Sequence, residues 1–247
     1  MTKKIRKNIL QAQLQNFYDI ALEGIRKKTM GPSKFLALST HLFERIEKSA
    51  SIQQIRLTAP NGLYHKESLA VVAVDVRKSS QLAIANSAET MFKVFQCFLP
   101  LMAYITNECT GEVISLRGDG LISAFGYGSS NDQETVSMAY EAGMLMIQAT
   151  QEVLNPFLST KKINISLDVG TALDIGDVVF TKIGFKDAIE VTAYGPPVNS
   201  AAKNNIAVNA LRLSRKAYQI HRGVPTSDEW SNIEPSHKRI VEEYSSF

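Results

Sequence analysis

Residues Glu112–Gly126 read EVISLRGDGLISAFG, two largely apolar arms either side of Gly118-Asp119-Gly120. Glycine beside aspartate between hydrophobic arms is a strong short-range hairpin signal, so the stretch predicts two antiparallel strands with Asp119 at the tip. Upstream, Leu69–Asp75 reads LAVVAVD, an apolar strand closed by an acid. Turn chemistry alone accounts for Asp119, but packing gives no reason for an aspartate at the end of a buried strand. Two carboxylates at neighbouring strand ends are what a two-metal phosphoryl-transfer site needs, where cations ~4 Å apart clamp the attacking and leaving oxygens.

Outward from the hairpin, the chain alternates strands and helices. A first strand spans about 67–76, and a long helix about 87–109 with Ser87 as its N-cap. After the hairpin, Asn131 with Glu134 resembles a capping box and opens a helix to about Leu154, where Pro156 is expected to stop it. Ile163, Ile165, Leu167 and Val169 alternate as a half-buried strand, with 175–183 as its antiparallel partner. A short strand near 189–194, the turn Gly195-Pro196-Pro197, a helix from about 198 and a strand pair near 211–222 complete the order. Strand, helix, two strands, helix, strand is the βαββαβ order of a ferredoxin-like α+β sheet with additions.

The front of the chain is helical. Ile5, Ile9, Leu10, Leu14, Phe17, Ile20, Leu22 and Ile25 give residues 4–28 a helical rhythm, broken by Met30-Gly31-Pro32-Ser33. A second helix is expected from Lys34 to near Ser49. The organisation expected is a helical extension (1–60), a catalytic domain (61–223) and a polar, irregular tail (224–247).

Composition narrows the chemistry. A chain of 247 residues can bury a sizeable core, and a net charge of +3 gives no reason to expect a nucleic-acid surface. No apolar run approaches the ~18 residues of a membrane span, so a soluble, cytoplasmic protein is expected. Cys97 and Cys109 fall on one predicted helix about 18 Å apart, beyond disulfide reach. His41, His65, His221 and His237 are scattered without zinc spacing, so a bound metal is expected to be hard, magnesium or manganese on carboxylates. The loop Val76-Arg77-Lys78-Ser79-Ser80 would offer backbone N–H groups and two cations to phosphates.

These motifs together resemble the class III nucleotide cyclases. The first motif of that family, an aspartate ending strand one, is matched by Val74-Asp75-Val76, and its Gly-Asp hairpin ending in Ala-Phe-Gly by Gly118–Gly126. A third, Gly-x-x-Val-Asn-x-Ala-Ala, is matched by Gly195–Ala202. The resemblance covers about residues 67–220. It implies that Asp75, Asp119 and the Val76 carbonyl hold two cations, and that Asn199 orients the ribose. The family arginine that stabilises the transition state is replaced by Lys203, which keeps the charge and loses the fork. It further implies a homodimer whose sites lie between protomers.

Of the two base-reading positions, Ser115 departs from the purine codes, while Thr192 is a residue that some adenylate cyclases carry. Where adenylate cyclases place lysine, and Asp or Thr, this chain has Ser115 and Thr192. Strand alternation puts Ser115 and Arg117 toward the Asp119 pocket. A smaller, donor-rich pocket suits a pyrimidine, and with the N-terminal extension the chain resembles the pyrimidine cyclases of bacterial Pycsar anti-phage systems. That resemblance implies conversion of UTP to cyclic UMP and pyrophosphate, acting on a separate effector. The alternatives are a cytidylate cyclase, an adenylate cyclase with an atypical pocket, and an inactive nucleotide-binding module. An RNA-binding ferredoxin-like module is disfavoured because Ile114–Arg117 lacks stacking aromatics.

Overall fold

The structure, a computed structural model, describes residues 4–26, 64–185, 188–235 and 240–241. A two-residue strand β1 (Ile5–Arg6) leads into helix α1 (Lys7–Arg26), which buries Leu10, Leu14, Phe17, Tyr18 and Ala21 along one stripe. The helix expected over 34–49 lies outside the described residues. Strand β2 (His65–Val76) is followed by a short helix α2 (Ser79–Ala85) and then by α3 (Ala88–Glu108). Ser87 Oγ accepts the Thr90 N–H at 3.1 Å, the cap that the sequence indicated. The hairpin is β3 (Glu112–Arg117) and β4 (Gly120–Phe125). Helix α4 (Asp132–Ala149), a π-helical turn (Thr150–Leu154) and α5 (Asn155–Thr160) follow as one continuous run. The remainder is β5 (Val169–Phe185), β6 (Ala188–Tyr194), α6 (Pro196–Asn204), β7 (Leu211–Ser214), α7 (Arg215–Arg222), β8 (Trp230–Ile233) and β9 (Ile240–Val241).

The main sheet runs β3-β4-β2-β5-β7-β8, and β6 pairs with the far half of β5. β2 is antiparallel to both β4 and β5, so β5-β2-β4-β3 has the antiparallel arrangement of a βαββαβ ferredoxin-like core. Both faces are covered, which is why β2 reads as a continuous apolar run rather than an alternating one. Ala70, Val72, Val74 and Val76 pack toward α1, α3 and α4, with Phe98, Leu101 and Met144 fully buried. Leu69, Val71 and Ala73 pack under Val198 and Ala201 of α6. Asp75 continues that second row.

Four expectations are corrected. Pro156 does not end the helix. The π turn widens the backbone ahead of it, the Asn155 N–H bonds to the Thr150 carbonyl, and proline takes an early position of α5 where a missing N–H costs least. Ile163–Val169 is not a strand paired with 175–183. Residues 163–168 are extended with alternate burial but stay outside the ladder, and 169–185 is a single strand. The Asn155 amide stands in for a ladder partner there, accepting from the Leu167 N–H at 2.8 Å and donating to the Leu167 carbonyl at 3.0 Å. Residues 215–222 are helical, because Ser214 Oγ caps the Ala217 N–H and Gly223 closes the end at φ 70°. The tail is not irregular throughout: Trp230–Ile233 pairs with β7, and Ile240–Val241 runs parallel to β1.

Candidate active site

Asp75 stands at the end of β2 between two glycines. Its register partners are Gly120 on β4 and Gly170 on β5. A Cβ at Gly120 would lie 2.8 Å from the Val74 carbonyl oxygen and 3.3 Å from Asp75 Oδ1, so any side chain there would crowd the carboxylate. On the other flank, the backbone of Asn205 and Ala207 fills the space that a Gly170 side chain would need.

Asp119 is brought to Asp75 by the hairpin. Arg117 pairs with Gly120, so the two loop residues are Gly118 and Asp119. Gly118 takes the positive φ of 60° that a tight two-residue hairpin asks for, which frees Asp119 from being required by the turn. The Asp119 carbonyl accepts the Val76 N–H at 3.3 Å, clipping the hairpin tip onto the end of β2.

Electrostatically the pair is under tension. Burial, and next the facing Asp119 carboxylate, raise the Asp75 pKa to about 6, against the pull of the Arg77 guanidinium. Arg77 Nη2 donates to Asp75 Oδ2 at 2.6 Å, while Asp75 Oδ1 is buried with no hydrogen-bond partner. Two facing carboxylates with a buried, unsatisfied oxygen form a site that favours a positive charge.

The loop after Asp75 is anchored from behind. The Arg77 N–H donates to the Asp168 carbonyl at 2.8 Å, and Asn209 Nδ2 donates to Asp168 Oδ1 at 2.7 Å. Asn209 Oδ1 accepts from the Val169 N–H and from Gln151 Nε2, both at 3.1 Å, and Gln151 also reaches the Leu167 carbonyl. Asn209 itself adopts φ 53°, in the left-handed region that asparagine tolerates. Gln151 belongs to the π turn, a feature often found beside functional sites. Sequence reading missed Gln151, Asp168 and Asn209 because their contacts are long-range; the one local signal was an asparagine just before a strand.

The other expected residues divide into two groups. Ser115 pairs with Ile122 on β3–β4, past an irregularity between Val113 and Ser115, and Arg117 occupies the register position opposite Gly120. Thr192 pairs with Thr181 on β5–β6 and is half-exposed. Asn199 and Lys203 are exposed on α6, one helical turn apart. Among the described residues, no hydrogen bond or ion pair joins Thr192, Asn199 or Lys203 to Asp75 or Asp119. The loop expected to lead straight into the long helix instead opens α2, with Lys78 at φ 57° before its first turn.

The donor set fits a hard divalent cation. Two carboxylates and the adjoining backbone carbonyl of Val76 are oxygen donors, and Asp75 Oδ1 has no protein partner to lose. Among the described residues there is no cluster of three or more His, Cys, Asp or Glu side chains. Such a sparse site suits a magnesium-like ion whose shell is completed by water and substrate phosphates, not an all-protein cage.

No protein-family model matches the chain. It is 28% identical over 147 residues to a cytidylate cyclase of Escherichia coli, covering 58% of this chain and 32% of that protein. It is 24% identical over 191 residues to an uncharacterized protein of Mycobacterium tuberculosis, covering 77% of this chain and 30% of that one. The chain thus spans about a third of the length of these curated relatives. The fold is similar to the adenylyl cyclase CyaB of P. aeruginosa (TM-score 0.60, 21% identity, covering 66% of this chain and 84% of that one). It is also similar to the guanylyl cyclase Cya2 (TM-score 0.57, 20% identity, covering 63% and 79%). No helix among the described residues is long and apolar enough to cross a membrane. Taken with the three motifs in order on this sheet, the likeness shows that the chain has the fold of the class III nucleotide cyclase domains.

Proposed function

We propose that this domain is a pyrimidine nucleotide cyclase, converting UTP to 3′,5′-cyclic UMP and pyrophosphate. The observation that carries the catalytic reading is the Asp75–Asp119 pair, a partly buried, mutually repelling couple of carboxylates with an unsatisfied oxygen at a strand end. Bound there, two divalent cations (Mn2+ or Mg2+) would polarise the α-phosphate, lower the pKa of the ribose hydroxyl and neutralise the leaving pyrophosphate. Asp75, Asp119 and the Val76 carbonyl would hold them. In the reaction the ribose O3′ forms a bond to the α-phosphorus as the bond from the α-phosphorus to the bridging oxygen breaks, and the 3′-hydroxyl proton leaves to solvent.

Asn199 orients the ribose and Lys203 offsets charge on the phosphorus oxygens, as a point charge rather than a planar fork. The site is shared between two copies, with Asn199, Lys203 and Thr192 supplied by the second. Ser115, Arg117 and Thr192 read the base, and Arg77 meets the triphosphate. The product serves as a second messenger for a separate cyclic-nucleotide-binding effector in anti-phage defence.

A second reading, CTP in place of UTP, is favoured by the relative named a cytidylate cyclase. Ser115 and Thr192 carry hydroxyls that both donate and accept, so either pyrimidine edge can be matched. Rates with all four ribonucleoside triphosphates in Mn2+ test the proposal. A pyrimidine is expected first, and purines lower by up to about 10⁴-fold, the penalty for leaving buried polar groups unpaired. ATP or GTP as the best substrate would refute it.

A further inference from the structure

Arg77 is placed where it competes with the chemistry it is expected to serve. Its Nη2 holds Asp75 Oδ2 at 2.6 Å, with the two side chains only 20% and 27% exposed. A settled structural arginine–carboxylate pair commonly uses two parallel N–H groups of the fork. Here one carboxylate oxygen takes the bond, while Arg77 Nε and Asp75 Oδ1 are both buried and both lack a hydrogen-bond partner. The pair is short, charged and incomplete on each side.

The backbone beneath it is fixed. The Arg77 N–H is tied to the Asp168 carbonyl and the neighbouring Val76 N–H to the Asp119 carbonyl. Any rearrangement therefore falls to the side chain, which is long enough to pivot over a stationary loop. A doubly charged cation on Asp75 would repel a guanidinium at that distance, because partly buried charges are weakly screened. The displaced group would carry a planar set of donors, including the unused Nε, into a site that receives a triphosphate. Guanidinium and phosphate match bidentately.

Building on the cyclase reading above, we infer that Arg77 is an exchanging residue, which holds Asp75 until a divalent cation takes that carboxylate and then turns its guanidinium onto the substrate's triphosphate. Arg77 thereby couples cation loading to nucleotide capture. Before the exchange it disfavours the cation, and after it favours the nucleotide.

The two halves have opposite signs on removal of the side chain, and that is the test. Mn2+ is titrated into nucleotide-free protein, with free Mn2+ followed by electron paramagnetic resonance, for the wild type, Arg77→Ala, Arg77→Lys and Asp75→Ala. KM for the preferred triphosphate is measured at saturating Mn2+ for the first three. Arg77→Ala is expected to bind Mn2+ about tenfold tighter and to raise KM about tenfold, each the size of one charge-assisted hydrogen bond. Arg77→Lys falls between on both. Unchanged or weaker Mn2+ binding in Arg77→Ala overturns the inference, and so does tighter binding with an unchanged KM. Asp75→Ala separates the two readings: if it binds Mn2+ as the wild type does, the assignment of the cation to Asp75 fails, whatever Arg77 does.

Discussion

At the scale of single residues, the acid at the end of β2 is the most consequential choice in the chain. Its row on the sheet is Leu69, Val71 and Ala73, all buried, and a hydrophobic fourth member would pack there without an unsatisfied oxygen. Retaining a carboxylate opposite a second carboxylate has a stability cost, the kind of local conflict that functional sites carry. Asp75→Ala and Asp119→Ala should each abolish cyclisation while shifting the melting temperature by no more than about 4 °C, since neither opens a core cavity. Loss of activity with a collapsed melting curve would instead make the pair structural. Both aspartates were legible in the sequence, one as an acid without a packing reason and one as a turn residue. Their support was not: Asp168 and Asn209 are 41 positions apart, and only the fold makes them neighbours.

At the scale of elements, the π turn and the loop before β7 act as a brace behind the loop that follows Asp75. Asn209 accepts two hydrogen bonds and donates one through its side chain, so replacing it breaks the tie to Asp168 at once. Asn209→Gly keeps the φ of 53° available and removes only those bonds. It should destabilise the protein by about 1–3 kcal/mol in denaturant titration and weaken Mn2+ binding, whereas an unaltered Mn2+ affinity would confine Asn209 to a structural role. Helix α3 supplies a simpler check. Burial pushes the Cys97 thiol up to about 12, so it should resist alkylation at neutral pH in the native protein and react once unfolded. Rapid native labelling of Cys97 would mean that α3 is less tightly packed than described. Elements whose signals are local came through in the sequence: the hairpin, the Ser87 cap and the helix after Gly195. The single long β5 did not, because alternation shows that a segment is extended but not which strand it pairs with.

For the whole molecule, the sheet is completed by segments that carry little signal alone. β8 pairs with β7, and the Arg212 guanidinium lies 5.5 Å from the centre of the Trp230 ring. Truncation after Gly223 should therefore lower the denaturation midpoint clearly, rather than leave it unchanged as a disordered tail would. The place of Asn199 and Lys203 on α6 bears on assembly. Mixing inactive Asp75→Ala and Asn199→Ala proteins should restore activity, because one site of a mixed dimer would keep both groups. Confirmed subunit exchange without activity would argue against a shared site.

The most direct measurement follows product chemistry in the wild type and in Asp119→Ala. Purified protein is incubated with UTP or CTP and Mn2+, and the nucleotide and pyrophosphate formed are quantified by mass spectrometry and phosphate assay. A 3′,5′-cyclic pyrimidine nucleotide should accumulate with an equal amount of pyrophosphate in the wild type, and neither should form with a folded Asp119→Ala protein. Linear mono- or diphosphate products, or equal cyclic product from Asp119→Ala, would contradict the assignment of Asp75 and Asp119 as the cyclising centre.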